Sequence, residues 1–183
     1  MPIIIENNDK PRELHPAGMT QGVCIGVYDI GLQATNFQGV EKVQRKVIFL
    51  WETTKKDSGG SPFIMAKKYT ASMFDKANLR KDLESWNGKK YTDEQAKKVD
   101  IELFNGKNGL LNIVHSDDEK YANVAGITPL MEGMPPIKAT ITTLPDGLKK
   151  WIDKMRSEAV EPMEAGHQAP PPHGDDDMPE FLR

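Results

Sequence analysis

A run of alternating side chains between Val43 and Thr53 places the strongest limit on what this chain can fold into. Successive side chains of a β-strand point to opposite faces, so apolar residues that recur at every second position predict a half-buried strand. The alternation is sustained over the whole run, which indicates one long strand. Its two faces are Val43, Arg45, Val47, Phe49 and Trp51 on one side, and Gln44, Lys46, Ile48, Leu50 and Glu52 on the other.

Two neighbouring segments are also predicted to be strands. Thr20–Asp29 alternates in the same way, but Gly22, Gly26 and Gly31 interrupt it or follow it closely. Glycine inside a strand marks a bend or a bulge, and a small barrel needs such a bend in a strand that belongs to both of its sheets. Phe63–Tyr69 forms a third strand, antiparallel to the second because a short polar loop joins them.

Helical spacing follows the third strand. Lys76–Trp86 carries apolar residues at helical spacing, and Asn87-Gly88 is typical of a helix end. Thr92 and Gln95 resemble a capping box. The remaining predicted elements are a helical turn at Asp100–Phe104, strands at Leu110–His115 and Tyr121–Ile127, an extended stretch at Ile137–Thr143, and a helix at Asp146–Met155.

The order of three strands, helices and two strands is that of an OB-fold, in which five antiparallel strands close into a barrel. Other small α+β folds share this order. We predict a mostly β protein with short helices: a five-stranded OB-fold-like barrel followed by a disordered acidic C-terminal tail.

Charge divides the chain into regions. Residues 157–183 contain seven acids and one base, whereas the rest of the 183-residue chain contains 23 bases and 20 acids. We predict an irregular N-terminal arm at 1–17, an OB-fold-like nucleic-acid-binding domain at 18–156 and a disordered acidic tail at 157–183. A mildly basic body with an acidic tail is the charge layout of a polyanion binder with a built-in competitor.

The cysteine content and the apolar runs indicate a cytoplasmic location. Cys24 is the single cysteine, so an internal disulfide and a multi-cysteine zinc site are excluded. No apolar run approaches the ~20 residues that span a bilayer, and the first residues lack the pattern of a secretory signal. We expect a soluble protein of a reducing cytoplasm, with an unknown oligomeric state.

Catalytic motifs are missing from the sequence. It has no phosphate-binding loop, dinucleotide fingerprint or zinc-binding helix motif. The residues of His115–Asp118 suit acid–base chemistry, but Ser and Asp are also expected at the predicted turn there. A minor alternative is that Asp29 and Glu52 converge to bind the metal ion of a nuclease. Cys24 is expected in the core because no basic residue that could activate its thiol is nearby. We expect no enzymatic activity, no catalytic residues, no metal and no cofactor.

Aromatic side chains next to cations are better represented. Single-stranded nucleic acids are held by rings that stack on bases beside cations that follow the phosphates. Tyr69 and Tyr121, each beside a lysine, are predicted to be surface stackers, whereas Phe49 is assigned to the core. Ordinary surface pairing along a helix accounts for Arg80. The predicted nucleic-acid-binding residues are Tyr28, Arg45, Lys46, Trp51, Lys67, Lys68, Tyr69, Lys120 and Tyr121.

The end of the chain combines acids with an apolar tip. The predicted partner-binding residues are Asp175, Asp176, Asp177, Met178, Pro179 and Phe181. This tip resembles the Asp-Asp-Asp-Ile-Pro-Phe end of bacterial and phage single-stranded DNA-binding proteins. It differs from that pattern because Met178 replaces Ile, Glu180 follows Pro179, and Leu182-Arg183 extend beyond Phe181.

Residues 78–89 and 109–115 also resemble segments of small replication-associated proteins of tailed phages. Together the resemblances imply non-sequence-specific binding of single-stranded DNA in phage replication or recombination, in the bacterial host cytoplasm. They imply that the tail recruits replication or recombination proteins. The alternative is a protein–protein adaptor of a phage replication complex that does not bind DNA directly.

Overall fold

The computed structural model describes residues 13–161, which form five strands and three short α-helices. The strands are β1 (Gly18–Phe37), β2 (Val40–Lys56), β3 (Pro62–Thr70), β4 (Asn108–His115) and β5 (Ala122–Thr128). The helices are α1 (Asn78–Asn87), α2 (Asp93–Ala96) and α3 (Asp146–Ser157), and a 3₁₀ turn covers Ile101–Phe104. The predicted order of three strands, helices and two strands is confirmed.

The strands form one antiparallel sheet in the order β3-β2-β1-β4-β5. β1 is the central strand, because its first residues pair with β4 and most of its length pairs with β2. The β1–β2 register shifts twice, once beside Gly26 and once around Gly31, so the glycines lie where the strand bends. A closed barrel is not shown, because the ladder of the sheet ends at β3 on one side and at β5 on the other.

β2 is buried on both of its faces from Lys46 to Thr53, whereas its two ends are exposed. On the inner face, Phe49 and Trp51 belong to the main core. The Trp86 ring of α1 packs against both, at centroid distances of 6.4 and 5.9 Å. The assignment of Phe49 to the core is therefore confirmed.

The opposite side of β1, β2 and β3 carries Ile48 and Leu50, and we call it the outer face. Helix α3 lies on it and forms a second core, in which Ile48 and Leu50 pack with Ile152 and Met155. The apolar stripe that predicted α3 is the side that faces the sheet. α3 therefore covers the middle of the outer face.

A strap at residues 137–143 leads into α3. This stretch was predicted to be extended, but it belongs to no strand of the sheet, and its last two residues form a bend. The buried carboxylate of Glu52 accepts hydrogen bonds from the Thr140 amide (2.8 Å), the Thr140 hydroxyl (2.6 Å) and the Ile141 amide (2.9 Å). Asn108 bonds both backbone groups of Ile137, at 2.9 and 2.8 Å. Side chains, and not a backbone ladder, hold the strap.

Helix α1 begins two residues later than predicted and ends at Asn87. Gly88 closes it in the left-handed region, with φ of 69°, where glycine is favoured. The predicted capping box between Thr92 and Gln95 is confirmed, since both of its hydrogen bonds are present.

Arg80 of α1 differs from its predicted role as a surface residue. It is buried, and its guanidinium donates to the backbone oxygens of Met73 (3.1 Å) and Tyr91 (3.0 Å) as well as to Glu84 (2.9 Å). The i,i+4 pair with Glu84 exists, but it is part of a network that fixes the loops on both sides of α1.

The segments at both ends of the described region pack on the sheet. The buried ring of His15 lies 5.2 Å from the Phe63 ring, and the His15 carbonyl is 2.8 Å from Nε2 of His115. Beyond α3, the Val160 amide donates to the Leu32 carbonyl at 2.9 Å. The described chain therefore leaves the sheet beside the far end of β1.

Candidate nucleic-acid interface

Strand pairing brings three of the predicted binding residues onto the outer face. Tyr28 of β1 and Lys68 of β3 both lie opposite Ile48, so they occupy one row across three strands. Lys46 lies two residues from Ile48 on the same face and pairs with Thr70. We call Tyr28, Lys46 and Lys68 the outer-face cluster.

The two lysines of the cluster influence each other. Burial, together with the charge of Lys46, lowers the pKa of Lys68 to about 8. Lys46 is buried, which corrects the expectation of a cation on an open strand face. Its ammonium donates to Thr70 Oγ1 at 2.7 Å and to Gln44 Oε1 at 2.9 Å. An anion bound here would stabilise the charged form of Lys68 and raise its pKa.

Tyr28 presents a ring on the same face of the sheet as this charged pair. The ring lies over Gly26, where a Cβ atom would come within 2.3 Å of it, so the absence of a side chain at that position allows the ring to lie there. The Arg156 guanidinium lies 5.7 Å from the ring centroid, and its Nε donates to the Asp29 carbonyl at 2.9 Å. A planar cation therefore occupies the position over the ring that a stacked base would take.

Arg45 lies on the exposed part of β2, on the face that carries Phe49 and not on that of the outer-face cluster. Its guanidinium forms an ion pair with the carboxylate of Asp29, and this hydrogen bond holds the pKa of Asp29 below its usual value. Both side chains are accessible, so the pair can open to solvent or ligand at little cost.

Trp51 and Tyr69 are both buried. The prediction that Tyr69 is a surface residue is therefore wrong, and Trp51, which was predicted to bind nucleic acid, also lies in the core. Both lie on the face of the sheet that carries Phe49. Tyr69 pairs directly with Val47, and Val47 and Trp51 lie on the same face of β2, so both rings point into the inner core. The Tyr69 hydroxyl donates to Asp82 Oδ2 at 2.7 Å. Burial, followed by the nearby Asp82 charge, raises the pKa of Tyr69.

The remaining predicted binding residues lie away from the outer-face cluster. Lys67 is on the inner side of β3, where its ammonium bonds Asp82 at 2.6 Å. Lys120 and Tyr121 lie in the β4–β5 turn, and Tyr121 is 39% exposed. Apart from Arg45, which lies on the exposed part of β2, the predicted residues therefore divide between the outer face, the inner core and the end of the β4–β5 hairpin. The partner-binding tail residues lie outside the described part of the chain.

Three further residues of this region were not predicted from the sequence: Arg156, Gln44 and Thr70. Gln44 and Thr70 are polar residues on a strand face, which is an uninformative pattern until Lys46 is placed between them. Arg156 belongs to a helix more than a hundred positions from Tyr28 in sequence. The cationic end of α3 was a visible signal, but only the packing of α3 on the sheet connects it with the cluster.

The residues considered for catalysis do not meet in the structure. Asp29 is engaged by Arg45 and Glu52 by the strap, so the two carboxylates have separate partners. Burial raises the pKa of the Cys24 thiol to about 12. Ser116 Oγ donates to Asp118 Oδ1 at 2.6 Å, as expected within a turn. Among residues 13–161, no three His, Cys, Asp or Glu side chains are grouped as metal ligands would be.

No family model, no curated protein and no solved structure matches this chain. Within the described region, no helix has the length and apolar character needed to cross a membrane. The function therefore has to be argued from the arrangement of its own side chains.

Proposed function

We propose that this protein binds single-stranded DNA without sequence readout, as a non-catalytic component of DNA replication or recombination. The observation that carries the proposal is the row across the outer face, which places the Tyr28 ring and the Lys68 ammonium on either side of Ile48. A ring beside cations is the arrangement that binds a base and its phosphates together.

The electrostatics of the cluster favour a polyanion as ligand. Lys46 and Lys68 are close enough for the charge of one to lower the pKa of the other. A phosphate between them would replace this repulsion by attraction to both ammonium groups. Arg156 lies beside the same region, over the Tyr28 ring, and adds a cation that keeps its charge at any physiological pH.

Stacking on Tyr28 is the second part of the proposed mechanism. Arg156 covers the ring in the structure, and a base that stacks there takes the place of the guanidinium. The displaced guanidinium is then able to contact the phosphate of the same nucleotide. Stacking accepts any base because every base has a π-face, and this accounts for binding without sequence readout.

The strand order supports an OB-fold-like barrel as the scaffold of this site. In the order β3-β2-β1-β4-β5, each pair of neighbouring strands is also a pair in an OB-fold, and only the pairing between the third and fifth strands is missing. The Lys67 ammonium on β3 reaches the Ala125 carbonyl on β5 at 3.4 Å, so the two edge strands are close together. α1 follows β3 in the chain and contributes Trp86 to the core, as the helix of such a barrel would.

We further propose that the acidic tail recruits replication or recombination proteins and competes with DNA for the body. This part rests on the charge of residues 157–183 and on the resemblance of their tip to those of single-stranded DNA-binding proteins. The phage setting and the host cytoplasm belong to the same proposal.

Fluorescence anisotropy with labelled single-stranded and double-stranded oligonucleotides of equal length tests the proposal. We expect tighter binding of the single strand, little dependence on its sequence, and an affinity that falls as salt is added. Equal affinity for the duplex, or no binding of either form at low salt, would overturn it. Incubation of the same oligonucleotides with magnesium tests for cleavage, and intact oligonucleotides are expected.

A further inference from the structure

A cleft lies between α1 and the β4–β5 hairpin, away from the outer-face cluster. Its volume is about 430 Å³, near the lower end of the roughly 300–1,000 Å³ that small-molecule sites occupy. Helix α1 contributes Lys81 and Asp82 to one wall, the hairpin contributes Val114 and Asn123 to the other, and Lys67 of β3 lines it as well. The space suits a ligand of about the size of one nucleoside.

A fixed hydrogen-bond network forms one side of this cleft. Asp82 Oδ2 accepts from both the Lys67 ammonium (2.6 Å) and the Tyr69 hydroxyl (2.7 Å). Lys67 also reaches the Ala125 carbonyl at 3.4 Å, and its side chain is only 10% exposed. Because both groups that approach Asp82 are themselves packed, the network presents a rigid polar surface and not a mobile one.

The hairpin wall combines an apolar surface with an amide. Val114 and Asn123 face each other across β4 and β5, and Val114 is 41% exposed although it is aliphatic. An aliphatic surface provides van der Waals contact to a flat ring. The Asn123 amide offers both a donor and an acceptor to the edge of that ring.

The charges in the cleft favour an uncharged polar ligand over a phosphate. The ammonium groups of Lys67 and Lys81 are balanced by the carboxylates of Asp82 and Asp117, which also lines the cleft. A phosphate would meet these two carboxylates, whereas a nucleobase carries no net charge and has donors and acceptors of its own. The exposed Lys120 in the adjacent turn lies outside the cleft, where the backbone of a bound strand would continue.

We infer that this cleft holds one unstacked base of a bound single strand, as a second contact separate from the outer face. The inference rests on the proposed function, because it assumes that the ligand is a nucleic acid. It also gives Lys67, Lys120 and Tyr121 a common location, since the turn that carries Lys120 and Tyr121 borders the cleft. The Tyr121 amide donates to Ser116 Oγ, on the cleft wall, at 3.1 Å.

The test compares Asn123→Ala with the matched control Asn112→Ala. Asn112 is an exposed asparagine on the same hairpin that does not line the cleft. We expect Asn123→Ala to weaken the binding of an oligothymidylate about five- to tenfold, and Asn112→Ala to change it less than twofold. Both proteins should bind an abasic oligonucleotide as the unchanged protein does, since it offers no base to the cleft.

A second measurement does not depend on any substitution. Titration of the unchanged protein with oligothymidylate should shift the NMR signals of the Val114 methyl groups and the Asn123 amide, and the abasic strand should not. If oligothymidylate binds tightly but these signals stay fixed and Asn123→Ala is neutral, the cleft inference is overturned and the proposed function stands. If the unchanged protein binds no oligonucleotide, the proposed function itself fails.

Discussion

Lys68 has a pKa of about 8 because it is partly buried beside the charge of Lys46. An ordinary lysine keeps its proton up to a pH of about 10, so Lys68 loses its charge at unusually mild pH. We expect the affinity for single-stranded DNA to fall as the pH rises from about 7 to about 9. Lys68→Arg, whose charge does not titrate, should remove most of this dependence. Anisotropy titrations at constant ionic strength measure the effect, and an unchanged pH profile in the variant would contradict it.

The number of phosphates that the protein neutralises also depends on Lys68. Replacing it by alanine should make the slope of log affinity against log salt shallower by about 0.7, the contribution of one phosphate on a single strand. Lys97→Ala is the matched control, because Lys97 is an exposed lysine paired with Glu94 on α2. Equal slopes for both variants would remove Lys68 from the interface.

His15 links pH to stability. Its Nδ1 lies 2.7 Å from the Pro16 carbonyl and so carries the proton, while the buried Nε2 has no hydrogen-bond partner among the described residues. Burial, with smaller effects from the charges of Lys55 and His115, lowers the pKa of His15. The histidine of the unfolded chain therefore binds a proton near pH 6.5, whereas His15 of the folded chain binds it only at lower pH. Because the unfolded chain binds more protons, the free energy of unfolding falls as the pH drops below about 6.5.

This loss is at most about 1.4 kcal/mol per pH unit for one group. His15→Asn, whose amide can still donate to the Pro16 carbonyl, should lose less stability between pH 7 and pH 5.5 than the unchanged protein. Urea denaturation at the two pH values measures the difference. If the variant lost as much stability as the unchanged protein, the sensitivity to acid would not be due to His15.

The inward direction of Tyr69 could not be read from its neighbours. Lys67 and Lys68 suggested a surface residue, and only the pairing of Tyr69 with Val47 decides the face. Lys67 shares that inward face and lines the cleft beside Asp82, although its side chain is only 10% exposed. Charged neighbours in sequence are thus a poor guide to the direction of a side chain. The register between two strands determines that direction, and the sequence does not show the register.

At the level of elements, α3 is the helix that completes the outer face. Ile152 is a buried residue of this helix and packs with Ile48 and Leu50 of β2. We expect Ile152→Ala to lower the free energy of unfolding by about 2–4 kcal/mol, because it removes buried methyl groups and leaves a cavity. Lys150→Ala, on the exposed side of the same helix, should change it by less than about 0.5 kcal/mol. Urea denaturation tests both, and a small effect at Ile152 would show that α3 is only loosely attached.

Strands and helices were predicted well because each has a repeating pattern of apolar residues. The strap at 137–143 has no such pattern, so its location could not be predicted. The strap is held by Glu52 of β2. The hydrogen-bond partners of Glu52 lie far along the chain, so the sequence did not indicate them. The same limit applies to the outer-face cluster, which depends on α3 bringing Arg156 to Tyr28.

For the whole molecule, the opposite charges of body and tail lead to a further prediction. Deleting residues 174–183 removes four of the seven acidic residues of the tail, so single-stranded DNA should bind the truncated protein more tightly. The gain should be largest at low salt, because screening weakens the competition as ions are added. Anisotropy with intact and truncated protein across a salt series measures it.

Unchanged affinity at every salt concentration would refute the competition. The same truncation should abolish the binding of any replication protein that recognises Pro179 and Phe181. Partner binding that persists after the truncation would refute the recruiting role of the tip.

The position of α3 in the chain has a consequence for synthesis on the ribosome. About 90 residues separate the end of β2 from the start of α3, and translation at roughly 5–20 residues per second needs about 5–18 s to add them. During this interval Ile48 and Leu50 have neighbours in the sheet but no covering helix. The nascent chain therefore exposes an apolar sheet surface until α3 emerges, and this is the period in which a chaperone would protect it from aggregation.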